Sequence, residues 1–213
     1  QTNTRTVVLQ GAVALPANLP RHTNEITITG DGNADTVLNI TDSCAINGPL
    51  KLDQLAVAVL ADSKFINTDG SPLTVGTLTT AKGSQYLLNM HCGTYNADGE
   101  RESVTVNGGS FWNVFIGSYY NTGTTHATAG ADFILNGGAV NKIRAFADGW
   151  GTLKNAVFTE NVNITVNGGS FALLELTNAE RPTVYQKAVQ VILNNGTTGT
   201  VPAADSVDAA GGY

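Results

Sequence analysis

The sequence predicts an all-β fold, a single-stranded right-handed parallel β-helix of about seven coils, each roughly 27–31 residues long. Three observations predict it. First, one phrase returns three times: Val104-Thr-Val-Asn-Gly-Gly-Ser-Phe111, Phe133-Ile-Leu-Asn-Gly-Gly-Ala-Val140 and Ile164-Thr-Val-Asn-Gly-Gly-Ser-Phe171. A weaker fourth copy is Val191-Ile-Leu-Asn-Asn-Gly196, and Asn107, Asn136, Asn167 and Asn194 are separated by 29, 31 and 27 residues. Second, each copy opens with β-branched residues alternating with polar ones, the mark of a half-buried strand. Third, 24 Gly and 6 Pro suit frequent turns, while a single Met and few Glu or Lys leave little material for amphipathic helices.

The elements follow in order. Thr4 to Leu15 reads as an opening strand pair. Glu25-Ile-Thr-Ile-Thr-Gly-Asp-Gly32 with Thr36–Ile40 is strand, turn, strand, and Pro49–Val57 and Pro72–Gly76 repeat that grammar. In the clear repeats, Asn-Gly-Gly supplies a sharp corner, because Gly accepts positive φ and Asn tolerates it better than most residues. A second strand then begins at Phe111, Val140 and Phe171. The rest of each period, such as Tyr119 to Asp132, is looser and holds a third strand and a loop. Stacking the coils about 4.8 Å apart turns Asn107, Asn136, Asn167 and Asn194 into an amide ladder. Residues 1–196 are assigned to one domain, and 197–213 to a terminal cap or the start of a continuation.

Composition narrows the functions. A net charge of −6 with no Lys/Arg cluster excludes a nucleic-acid partner. No apolar run is long enough to span a bilayer. The start at Gln1 suggests a mature or excised form. Cys44 and Cys92 allow one disulfide or two small buried residues, and the sequence leaves that choice open. Three N-x-T sequons at Asn39, Asn163 and Asn195 carry no weight in a chain so rich in Asn and Thr.

The Val-x-Val-Asn-Gly-Gly-Ser-Phe motif, with Ile-Thr-Ile-Thr-Gly-Asp-Gly upstream, resembles secreted right-handed parallel β-helix proteins of the pectate-lyase-like superfamily. Within it the likeness is to bacterial cell-surface proteins carrying many Asn-Gly-Gly turns, and it covers about residues 25–196. The resemblance implies an extracellular or cell-surface protein that binds or cleaves acidic polysaccharide, commonly with calcium, although some such proteins only adhere. Fold analogy does not fix function.

Aligning the repeats yields candidate sites. Val114, Ile143 and Leu174 form one inward column, and Ile116, Ala145 and Leu176 another. Asn113, Lys142 and Leu173 face outward, as do Phe115, Arg144 and Glu175. Lys142 and Arg144 then share a face, as the base and carboxylate clamp of a lyase of this superfamily would. The structural alternative is an ion pair between Arg144 and Glu175 on the next coil. For calcium the candidate ligands are Asp31 and Asp35 in one short loop, and Asp98, Glu100, Glu102, Asp132 and Asp148. Asp98-Gly-Glu-Arg-Glu102 also reads as a solvated loop neutralised by its own Arg101. No paired carboxylates of the glycosidase kind are present. His91 and Cys92, as strand neighbours, point to opposite faces, which places Cys92 in the core; His22 and His126 have no ligand-like spacing.

Aromatic residues mark the last candidate surface. Trp112, Phe115, Tyr119, Tyr120 and Trp150 sit where a groove could stack them on sugar rings, with Asn and Asp nearby to fix hydroxyls. Trp112 falls at the repeat position of Asn141 and Ala172, a departure from the scaffold pattern. The leading function is therefore a noncatalytic module, carbohydrate-binding or adhesive, with a polysaccharide or other cell-surface glycan as partner and no cofactor beyond calcium. The alternatives are a polysaccharide lyase and a structural piece of a larger or filamentous surface assembly.

Overall fold

The computed structural model describes residues 5–68, 71–92, 101–116, 126–145, 156–176, 183–194 and 197–200. All regular structure among them is β-strand, arranged as a parallel β-solenoid. Sheet I has eight strands: Arg5–Leu9, Ile26–Gly30, Leu50–Asp53, Leu73–Val75, Glu102–Val106, Ala131–Leu135, Val162–Val166 and Val189–Leu193. Sheet II has seven: Cys44–Ala45, Phe65–Asn67, Leu88–Cys92, Ser110–Ile116, Ala139–Arg144, Ser170–Glu175 and Thr198–Thr200. These two sheets run most of the length of the described solenoid.

The third side changes partway along. Sheet III (Ala12–Ala14, Val37–Ile40, Leu55–Val59, Leu78–Thr80) lies between sheets I and II in the early windings. Sheet IV (His126–Thr128, Ala156–Phe158, Thr183–Tyr185) follows sheet II in the late ones. Along sheet I the register runs Arg5, Ile26, Leu50, Leu73, Val104, Phe133, Ile164, Val191, so successive steps are 21, 24, 23, 31, 29, 31 and 27 residues. The expected 27–31 residues therefore hold from Leu73 onward, and the earlier coils are shorter. About five turns are complete, slightly fewer than the seven expected, because the end windings are partial.

The core is a column of inward side chains. Ile28, Leu52, Val75, Val106, Leu135 and Val166 stack along sheet I, each no more than 7% exposed. Cys44, Ile66, Met90, Val114, Ile143 and Leu174 do the same along sheet II. Apolar side chains stacked on like neighbours remove area from water at about 25 cal/mol per Å², and in a solenoid that gain comes from adjacent windings. Cys44 is a free, buried thiol whose ionisation burial pushes up to about 11, so it acts as a small core residue. On sheet IV, Phe158 and Tyr185 stack with centroids 5.3 Å apart, and the buried Tyr185 hydroxyl lies 2.5 Å from both the Ala145 and Leu176 carbonyl oxygens.

The repeated corner explains its own sequence. Asn136 Nδ2 donates to Asn107 Oδ1 at 2.7 Å, Asn167 Nδ2 to Asn136 Oδ1 at 2.7 Å, and Asn194 Nδ2 to Asn167 Oδ1 at 2.6 Å. A Cβ on Gly137 would come 2.6 Å from the Asn107 carbonyl oxygen, so the position after each ladder asparagine must be bare. Below Asn107 the same column holds Gly76 and then Asp53, whose Oδ1 accepts from the Thr77 amide at 2.8 Å. That amide, followed by Lys51 at 3.0 Å, holds the Asp53 carboxyl below the usual carboxylate range. All four ladder asparagines are solvent-exposed. Water can replace the lost partners there, so Asn136→Ala is expected to cost about 0.5–1 kcal/mol, below the 1–3 kcal/mol of a buried amide. Urea unfolding checks this; no measurable loss would mean the ladder adds nothing to stability.

Candidate functional site

Two outward features of sheet II lie close together. The first is a charged and aromatic row. Phe65 and His91 have ring centroids 4.1 Å apart, His91 and Phe115 4.7 Å, and the Arg144 guanidinium lies 5.2 Å from the Phe115 centroid. Arg144 Nε donates to Glu175 Oε2 at 2.6 Å, and Lys142 Nζ to Glu175 Oε1 at 3.4 Å. The registers Asn113–Lys142–Leu173 and Phe115–Arg144–Glu175 put these groups on one face, three coils deep. Lys142 and Arg144 thus grip opposite oxygens of one carboxylate, as bracing does. A base and clamp that meet a substrate carboxylate need an open approach instead. Phe115 is 4% exposed beneath Arg144, so a sugar ring has no face of it to stack on. The outward register was right, but the cation on the next coil covers the ring.

The second feature is a trough. From Ser110–Ile116 onward each sheet II strand places two residues between consecutive inward ones: Phe111 and Val114, Val140 and Ile143, Phe171 and Leu174. The strand below has one fewer, which appears as a register shift between Leu88 and Met90. The added residue bends the strand, as bulges do. The bend opens a hollow of about 420 Å³ lined chiefly by Ser110, Ala139, Ser170, Asn141 and Ala172, with Phe111, Val140 and Phe171 beneath. Three windings at about 4.8 Å spacing make it about 10 Å long. Trp112 occupies the position of Asn141 and Ala172 one winding earlier and is 52% exposed.

The carboxylates proposed for calcium are otherwise engaged. Asp31 Oδ1 accepts from the Thr36 hydroxyl at 2.6 Å and the Asn33 amide at 3.0 Å, and these bonds, Thr36 first, hold it below the usual carboxylate range. Thr36 Oγ1 in turn accepts from the Gly11 amide, and Asn33 Oδ1 from the Asp35 amide, so the loop closes on its own hydrogens. Hydrogens aimed at the oxygens are the opposite of what a cation requires, and these residues do not fit calcium. Asp132 is bound by Arg101, Nε to Oδ2 at 2.5 Å and Nη2 to Oδ1 at 2.7 Å, and by Asn163 Nδ2 at 2.7 Å. The Arg101 pair comes first in holding the Asp132 carboxyl low. Glu102 opens a strand with its side chain buried, which corrects its reading as a loop ligand. No group of three His, Cys, Asp or Glu among the described residues could hold a metal ion. Asp98, Glu100, Asp148, Tyr119, Tyr120 and Trp150 lie outside the described residues.

Sequence reasoning missed two arrangements. Arg101 was assigned to its own acidic loop, but its guanidinium also donates to the Asn161 carbonyl at 3.0 Å, tying three windings together. The available signal was the column Ser103–Asp132–Asn163, which puts an acid and an amide directly above the residue after Arg101. The His91 stack was missed because its register depends on the added residue at Trp112–Asn113. No helix is long and apolar enough to cross a membrane among the described residues. No family model matches the chain, and neither a curated protein nor a solved structure is similar to it.

Proposed function

We propose that the chain is a noncatalytic extracellular or cell-surface module that binds a carbohydrate along the sheet II trough, with Trp112 as its stacking platform. The observation that carries this reading is an exposed indole next in line with a hollow of about 420 Å³ bordered by serine hydroxyls and Asn141. A pyranose ring presents an apolar face and a rim of hydroxyls; a flat indole suits the first, and short polar side chains suit the second. A trough about 10 Å long takes roughly two sugar units. The pairing of Lys142 and Arg144 with Glu175 weighs against a lyase.

The test is titration with soluble neutral and acidic oligosaccharides, with and without calcium, read by calorimetry and by absorbance of unsaturated product. Saturable binding without product is expected. Trp112→Ala should lose it while its unfolding free energy stays within about 0.5 kcal/mol of the parent, since Trp112 is a surface residue. Binding unchanged in Trp112→Ala would refute the platform, and product formation would restore the lyase.

A further inference from the structure

We propose that this chain stacks end to end on copies of itself, with Val189–Leu193 of one copy pairing in parallel with Arg5–Leu9 of the next. The argument starts from one core column. Its interior members, from Ile28 to Val166, are buried, yet its two ends are open: Val7 is 45% exposed and Leu193 44%. Val8 at 53% and Ile192 at 39% add to the apolar surface at the same two ends. Among the described residues, Arg5–Leu9 pairs with Ile26–Gly30 alone, and Val189–Leu193 with Val162–Val166 alone. Each end strand therefore presents one edge of amides and carbonyls beside an uncovered apolar row, the condition under which strands recruit further strands.

The two edges fit each other better than either fits itself. Every strand of sheet I runs in the same direction, so a copy shifted along the axis continues the parallel ladder without inversion. Both end strands are five residues long, Arg-Thr-Val-Val-Leu and Val-Gln-Val-Ile-Leu. Carrying the sheet's register across the junction sets Leu193 against Val7, and Val191 against Arg5. Arg5 is the first residue of its strand, where its stem can cover Val191 while the guanidinium reaches water. The next strands also correspond: Ala12–Ala14 at one end and Thr198–Thr200 at the other each pair on a single side among the described residues. Joining unlike ends is a heterologous contact, which does not close and gives linear assemblies rather than rings. Pairing like ends would set the strands antiparallel and lose this register.

Sedimentation velocity over a concentration series tests the proposal with wild type, Val7→Lys and Leu193→Lys. Wild type is expected to form a ladder of species that lengthens with concentration. Each variant, with one end blocked, should remain a single copy while keeping the wild-type circular dichroism spectrum. An equimolar mixture of the two variants still has one intact Val7 end and one intact Leu193 end, so it should stop at a species of two copies. A single-copy wild type throughout, self-association by either variant, or a mixture that stays single or grows beyond two copies would each overturn the proposal. Hydrogen exchange on wild type provides a check free of mutation: the edge amides should gain protection as concentration rises, and unchanged exchange counts against stacking.

Discussion

Gly138→Ala is expected to be among the most damaging single substitutions in this chain, costing about 3–5 kcal/mol of a total stability that for such domains is about 5–15 kcal/mol. Two costs combine. Gly138 has φ +86°, and an L-residue held in that left-handed region costs about 1–2 kcal/mol. A Cβ there would also meet the Gly109 carbonyl oxygen at 2.5 Å and the Gly108 carbonyl carbon at 2.8 Å, both backbone atoms of the winding below. Backbone cannot swing aside as a side chain does, so the windings must part locally and loosen the ladder between Asn107 and Asn136. Gly32→Ala is the control, because Gly32 has φ +83° but nothing within 4 Å of the added carbon. Urea unfolding of both variants separates the terms. Equal losses would show that backbone conformation, and not stacking, accounts for the glycine.

The second large effect is a pH dependence centred on His91. Its imidazole is buried between Phe65 and Phe115, with Arg144 on the far side of Phe115, and burial pushes its pKa from 6.5 down to about 3. The folded state thus keeps the ring neutral, while the unfolded chain protonates it below about 6.5. Stability from this group is complete above that value and falls as pH drops toward 3, by up to about 1.4 kcal/mol per pH unit. Asp31, Asp53 and Asp132 all have lowered values and lose their contributions at more acid pH. The window from pH 6.5 to 5 therefore isolates the histidine. His91→Phe should flatten the stability profile there, whatever its stability at pH 7, as measured by urea midpoints every half unit. A wild-type profile already flat between 6.5 and 5 would show that the ring is hydrated.

The late windings were legible because every coil repeats the same solution. Val106, Leu135 and Val166 announce an inward column, and Asn-Gly-Gly announces the corner, since both are forced by close stacking on the winding below. The early windings obey the same physics with other residues. Asp53 and Gly76 stand where asparagines stand later, an acid accepting the Thr77 amide and a bare position making room for it. That exchange hides the period from any reading based on identity. The site was half legible for a related reason. Alternation sorted Lys142, Arg144 and Glu175 onto one face, but the bend that opens the trough comes from one added residue, whose effect shows only against Leu88–Met90 on the preceding coil. Phe115 was placed correctly and assigned the wrong task, because covering by Arg144 is a contact between coils.

The exchange of sheet III for sheet IV makes this molecule a composite of two materials, not a uniform rod. On one side of the change, short windings are held by sheets I, II and III; on the other, longer ones are held by I, II and IV. Where they meet, among the described residues, no strand covers Leu78–Thr80, and a small hollow remains between Val57, Val59, Tyr86 and Phe111. Cohesion between neighbouring windings is what holds a solenoid together, and at this level two sheets supply it where three do elsewhere. The boundary behaves like a grain boundary in a crystal: heat or axial tension finds its fracture plane there, and each block keeps its own internal order after the other has come apart.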